Sequence, residues 1–443
     1  MTTAAEAAVQ HRPSESTSAS ARLASVPSTF SSLRTRNYRL FATGQLFSNT
    51  GAWVQRIAQD WLVLSITGSA TAVGITTALQ FLPTLLFGLY GGLIADRCNK
   101  RRVLIGTQVG MASMAAILAA LTLSGRVMPW HVYLIAFGLG MVTAIDNPTR
   151  QSFVNEMVGP DQLRNAISLN ASVFQLGALI GPAISGFLIT AIGPGYSFAV
   201  NAVSYVAPMI ALSRIREKEL NRTGRRAGKA DRLRDGVQYV RQRPEILWPT
   251  VLVGTFGLFT INLPVTLAAY AKDVFHSGPS GYGMLSSAVA LGSIAGALIS
   301  ARRASTRLRT LTGLAVVLAA MYLFAALVPG QWSYRLLLVA VGAASLLFLT
   351  SANSSVQLAA GDAIRGRVMS VYLLVFIGSG AIGGPILGSI DQHLGPQVGM
   401  LLSGLLPGLA TLAIAAKLSH DADLRVGRQP GESMSWRLGL VPR

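Results

Sequence analysis

The chain has 443 residues, 51% of them hydrophobic and only 12% charged, where an average soluble domain carries about 25% charged residues. So few charges cannot cover a water-soluble protein of this length, and a mean hydropathy of +0.48 points to an integral membrane protein. The formal charge of +19 would suggest nucleic acid in a soluble chain, but the bases lie between apolar runs, so no nucleic-acid partner is expected and membrane topology explains them.

Residues 1–33 are rich in Ser, Thr and Ala without an apolar run. They read as a disordered cytoplasmic tail, not as a cleavable signal peptide. Twelve mostly apolar runs follow, at 40–67, 72–94, 103–124, 130–149, 166–190, 196–213, 247–271, 279–301, 310–328, 336–356, 369–390 and 396–416. Each suits a spanning helix of about 20 residues. None alternates in polarity as a barrel strand would. The fold class expected is therefore all-α integral membrane.

The runs form two sets of six, at 34–213 and 246–416, joined by a basic linker at 214–245 and followed by a tail at 417–443. The linker opens with a charged run from Arg214 to Lys229. Beyond it Leu233, Val237 and Val240 recur at helical spacing among Arg232, Arg234, Arg241 and Arg243. This predicts a short amphipathic helix, either lying on the anionic inner leaflet or simply solvated. The final Leu440-Val441-Pro442-Arg443 resembles the remnant of a tag-removal site, and no function is expected there.

Of 37 Lys+Arg, 33 fall in the tails and in alternate connections on one side. The other side holds three, Arg126, Lys272 and Arg335, and Arg56 lies inside span 1. The asymmetry places both termini in the cytoplasm of a multi-pass cell-membrane protein. The single cysteine, Cys98, and five scattered histidines exclude an intrachain disulfide and predict neither metal nor cofactor.

Ionisable groups inside a bilayer cost about 2.5–3.5 kcal/mol each on insertion scales, so each is a candidate for function. Arg56 and Asp60 stand i, i+4 in span 1 and are able to pair. Asp60 is the candidate proton-coupling residue and Arg56 its tuner; the alternative is a static pair that fixes helix 1. Asp146 and Arg150 form a second i, i+4 pair, expected to be a gate or anchor. Asn49, Trp53, Gln59, Gln80, Asn170, Gln175, Asn262, Asn353 and Gln357 are candidates for a substrate cavity, some of them serving as interhelical hydrogen bonds instead.

Gly177, Gly181 and Pro182 in span 5 recur 203 residues later as Gly380, Gly384 and Pro385 in span 11. Gly186 and Gly388 extend the two copies one residue out of step. The repeat implies two homologous six-helix halves with a substrate site near the midplane where they meet. Glycines four apart let helices approach closely, and Pro182 is expected to kink its span. The connection after span 2 reads Gly92-Leu-Ile-Ala-Asp96-Arg97-Cys98-Asn99-Lys100-Arg101-Arg102. There Gly92 is expected to admit a neighbouring helix, Asp96 to face a helix N-terminus or a cation, and Asn99 to adopt a left-handed turn.

This loop resembles the signature of the major facilitator superfamily, Gly-x-x-x-Asp-Arg-x-Gly-Arg-Arg, with Asn99 and Lys100 as departures. The resemblance implies twelve helices in two six-helix bundles and alternating access. It also implies that Asp96 holds an outward-open state by contacting the start of span 11, supported by Arg97 and Arg101. The Gly177 to Gly186 element resembles the antiporter motif of proton-coupled exporters. Arg36-Asn-Tyr-Arg39, Asp60-Trp61 and Asp362-Ala-Ile-Arg365-Gly-Arg367 look like the branch of enterobactin and macrolide exporters. That branch often carries an arginine in mid-span 4, where this chain has only Gly138 and Gly140.

The function expected is secondary active export of amphipathic small molecules (a drug, siderophore or secondary metabolite), coupled to protons. The protein is expected to work as a monomer among membrane lipids. The alternatives are an importer or lipid transporter on the same fold, and last a membrane receptor or enzyme. No Gly-x-x-x-x-Gly-Lys-Ser/Thr element for nucleotide hydrolysis and no nucleophile–base or metal set is found, so no enzyme is expected.

Overall fold

The computed structural model describes residues 30–221, 233–301, 308–361, 364–421, 424–430 and 436–442. Almost all of the predicted N-terminal tail, the charged run beyond Asn221, Arg232, Asp362 and Arg443 lie outside the described residues.

Every one of the twelve predicted segments falls in helix. In the N-terminal half these are α1 (Arg36–Thr67), α2 (Ala70–Arg97), α3 (Lys100–Leu123), α4 (Pro129–Ile192), α5 (Pro194–Ser204) and α6 (Val206–Ser213). The linker carries α7 (Leu233–Gln242). The C-terminal half has α8 (Pro244–Thr260), α9 (Leu263–Ala269) with a π-helical turn at Tyr270–Val274, and α10 (Gly278–Ala301). It ends with α11 (Leu308–Leu327), α12 (Gln331–Ala359), α13 (Arg365–Leu394) and α14 (Pro396–Asp421). Among the described residues, ten helical stretches are long and apolar enough to cross a membrane. The Arg36–Thr67 helix is not one of them; Arg56, Asp60 and a series of Asn and Gln lower its hydropathy.

Helices outrun the apolar segments at the basic ends, because hydropathy marks the membrane while capping ends the helix. The connection expected after span 4 is largely helical: α4 runs 64 residues and leaves helical geometry only at Gly159, with φ 70° and ψ 178°. Pro160 disfavours α geometry at the residue before it, and Gly159 has no Cβ to oppose positive φ. Helical dihedrals continue through Pro182, so the span 5 proline makes no break. The span 7 segment breaks between α8 and α9, where Pro264 has no N–H to continue the ladder. Asn262 fills the break, donating Nδ2 to the Leu258 carbonyl at 2.8 Å.

The linker helix adopts neither expected setting. Its Val240 is buried and Val237 packs in the same core. The helix lies on α8 and α13, where Gly236 meets the Arg367 backbone and Asp235 reaches Arg367 at 3.9 Å. Val237 and Val240 of its apolar face pack into the protein core. After α14 the tail forms a hairpin, Leu424–Pro430 antiparallel to Trp436–Pro442.

The repeated Gly/Pro elements explain how the halves meet. In α4, Gly177 and Gly181 pack on Asn49, Thr50 and Trp53 of α1, while Gly186 packs on Pro279, Ser280 and Gly283 of α10. In α13, Gly380 and Gly383 pack on Leu258, Ile261 and Asn262, while Gly384 and Gly388 pack on Gly74, Ala70 and Thr71 of α2. Each motif helix thus touches the first span of its own half and the second span of the other. That is the contact pattern of a two-fold repeat. At each cross-half contact a Cβ would meet backbone atoms at 3.3 Å or less, so the small residues form a tight seam at one end of the molecule. Polar links across the halves include the Ala70 N–H donating to Gln392 Oε1 at 2.7 Å, Lys272 Nζ to the Gly68 carbonyl at 3.3 Å and Ser287 Oγ to the Leu179 carbonyl at 2.9 Å.

Candidate functional site

A cavity of about 410 Å³ lies beside this seam. The volume falls in the range of small-molecule sites. Residues of α1 to α5 and Tyr205 line it, and Ile377 of α13 is its one lining residue from the other half. In this conformation the cavity is lined chiefly by the N-terminal bundle, with a single residue from the C-terminal half.

Of the predicted cavity residues, Asn49, Trp53, Gln59 and Gln80 line the pocket. Asn170, Gln175, Asn262, Asn353 and Gln357 do not. Asn262 is spent on the α8–α9 break, and Gln357 donates to Asn353 at 2.7 Å on its own helix. Sequence reasoning missed Gln45, Gln55, Gln108, Asn147 and Asn201, which also line the wall. Amides at a pocket and amides between helices look alike in a sequence, since only helix rotation separates them.

Asp146 and Arg150 line the same cavity, with Arg150 Nε 3.6 Å from Asp146 Oδ2. Asp146 Oδ1 accepts from Thr107 at 2.7 Å and Gln108 at 3.1 Å. Arg150 donates to Gln45 Oε1 at 2.9 Å and to Asn147 Oδ1 at 2.6 Å. The pair is neutral, hydrogen-bonded and placed in the wall of the pocket.

Arg56 and Asp60 do not pair; among the described residues neither takes part in an ion pair. The Arg56 guanidinium lies 5.6 Å from the Trp53 and Phe81 ring centroids and faces the cavity. Cation–π attraction to two rings offsets the missing carboxylate. Asp60 is buried behind it, and its Oδ2 accepts from Tyr282 Oη of α10 at 2.9 Å. Its Oδ1 has no hydrogen-bond partner among the described residues. The i, i+4 spacing allowed the ion pair, but a donor from the other half took the carboxylate.

A third buried acid escaped notice in the sequence because it follows the predicted end of span 11 by one residue. Asp391 is 4% exposed, accepts from Thr266 Oγ1 at 2.8 Å and leaves Oδ1 unpartnered.

The signature loop is anchored within its own half. Lys100 pairs with Glu156 at 2.6 Å. Arg101 donates to the Leu212 and Ser213 carbonyls at 2.7 and 2.6 Å and to Glu217 at 3.0 Å; a cation at a helix C-terminus is favourable. Asn99 is not left-handed. With φ −67° and ψ 108° it caps α3, accepting from the Arg102 N–H at 3.2 Å. Gly92 meets no neighbour; Gly91 is the close-packed glycine, against the Ala144 carbonyl. Arg97 is exposed, and Asp96 is exposed and makes no ion pair among the described residues. The start of α13, which the resemblance assigned to Asp96, is occupied by α7.

The family model for transmembrane secretion effectors matches residues 27–436. The multidrug efflux pump Tap of Mycolicibacterium fortuitum is 27% identical over 412 residues, covering 85% of this chain and 97% of that protein. Macrolide efflux protein A of Streptococcus pyogenes is 23% identical, covering 59% and 65%. The staphyloferrin A transporter of Staphylococcus aureus is 29% identical over 164 residues, 37% of this chain and 41% of that one, so the match spans about two fifths of that relative. Among solved structures, a peptide transporter POT in complex with sulfate superposes with a TM-score of 0.68 at 14% identity, covering 87% and 95%. A bacterial homologue of the human lysosomal transporter Spinster, inward-facing and unoccupied, gives 0.67 at 16%, covering 86% and 96%. At such identities the likeness is one of fold.

Proposed function

The chain belongs to the transmembrane secretion effector family of the major facilitator superfamily, a family of membrane transporters and not of enzymes, and from that premise we propose that it is a proton-coupled exporter of amphipathic small molecules. One observation carries the reading: two pseudo-symmetric halves close on each other at one end through small residues, beside a polar-and-aromatic cavity. Such a seam can part while the halves rock, which is what alternating access requires. The efflux names of the Tap and macrolide relatives support export. The positive-inside asymmetry supports twelve crossings in the cell membrane, both termini cytoplasmic and the sealed end outside. In this reading α4 crosses twice, on either side of Gly159, and the polar α1 crosses as well.

Arg56 and the amides of the wall hold cargo while Trp53, Phe81 and Phe174 give it apolar faces. Asp60 carries the proton, since it lies between the cavity and the sealed end and meets water from either side as the halves rock. One proton moving through 100 mV supplies about 2.3 kcal/mol. Asp60→Asn is expected to abolish proton-coupled export at normal expression. Quinacrine fluorescence recovery on adding cargo to inverted vesicles reads this, and undiminished recovery in the variant would remove Asp60 from the role.

A further inference from the structure

We propose that Tyr282 sets the pH at which the sealed end opens, by donating its hydrogen bond across the halves to Asp60. This rests on the reading of Asp60 as the proton carrier. The Tyr282 hydroxyl and Asp60 Oδ2 are 2.9 Å apart, on α10 and α1, and both residues are almost wholly buried. Tyr282 is held by its surroundings: its ring stacks on Trp61 at 6.4 Å and 26°, and the adjacent Gly283 abuts the Pro182 carbonyl and Gly186 of α4. The hydrogen bond therefore exists only while the seam is shut.

The charged groups around this bond are few. Arg56 stands one turn earlier on α1 and is held on the Trp53 and Phe81 rings. Lys272 and Asp273, on the turn after α9, lie 4.0 Å from each other, and Lys272 reaches Gly68. The faces of α4 and α10 that meet at the seam, Pro182, Gly186, Ser280 and Gly283, carry no charge.

Closing the end strips water from the Asp60 carboxyl. An ionised carboxylate loses far more than a neutral acid when that happens, so a proton on Asp60 and a closed seam favour each other. Tyr282 acts against this preference. A hydroxyl donating to a carboxylate makes a stronger bond than one donating to a neutral acid, so it supports the ionised form in the closed state. Tyr282 is thus a positioning residue that lets the proton leave before the end reopens.

The test uses the full chain with Cys98→Ser, spin-labelled at cysteines replacing Ser124 and Ser333, in lipid nanodiscs. Distances across the sealed end are read by double electron–electron resonance from pH 5 to 9. The unaltered chain is expected to close as pH falls, and Asp60→Asn to lose that response. Tyr282→Phe keeps the ring and removes a bond that only the closed state makes; its closing midpoint is expected about one unit lower. Replacing Tyr282 by 3-fluorotyrosine, a stronger donor, is expected to move the midpoint higher. A Tyr282→Phe midpoint at or above that of the unaltered chain, or no shift in either variant, overturns the proposal while leaving Asp60 in place. An unchanged titration in Asp60→Asn overturns the proton-carrier reading itself.

Discussion

At the residue scale, the buried acids show what partners do for a carboxylate in a membrane protein. Asp146 has two donors and an arginine, Asp60 one tyrosine, and Asp391 one threonine. Asp60 and Asp391 thus each depend on a single donor, and Asp391 lies outside the cavity. Thr266→Val preserves shape and removes the donor, leaving both Asp391 oxygens without a partner. A cost of about 1–3 kcal/mol follows. The purified protein should unfold at a lower temperature, and an unchanged thermal transition would show that the Thr266 bond contributes nothing.

At the element scale, the pairing of α2 with α4 separates two adjacent glycines that a motif reading treats differently. Gly91 touches the Ala144 carbonyl, whereas Gly92 faces open space. Gly91→Ala must push the two helices apart, an overpacking cost of about 1–3 kcal/mol. Gly92→Ala meets nothing and should stabilise the helix by about 0.4–1 kcal/mol. Thermal unfolding of the two variants in detergent compares them directly; equal transitions would mean that the α2–α4 contact is not as close as the structure has it. The linker helix teaches the same lesson. Its spacing announces an apolar face, but what covers that face is a neighbouring helix pair.

At the scale of the whole molecule, the seam is the element on which the proposed transport cycle turns. Gly74 and Gly384 face each other across the halves, and a Cβ on Gly74 would overlap the Gly384 carbonyl. Gly74→Val is expected to keep the halves from meeting while each remains folded. Export should fall by at least an order of magnitude. A cysteine replacing Ala70, which is buried against Gly388 at the seam, should in a Cys98→Ser background become more reactive toward a membrane-impermeant maleimide. Unchanged labelling with full export would show that the seam has slack to spare.

Hydropathy, charge and the 203-residue repeat are properties of short stretches read in order, so the sequence alone determined the membrane-spanning helical class and the positions of the helical segments, and its repeat pointed to related halves. The family followed from a loop and a Gly/Pro element equally local. What faces what was decided only by the tertiary structure. Asp60 finds its donor 222 residues away, and Arg56 turns to aromatic rings one of which lies on another helix. The Asp146–Arg150 pair became a wall of the cavity through the rotation of α4. Rotation and partner choice depend on all the helices packing at once, and no window of the chain holds that information.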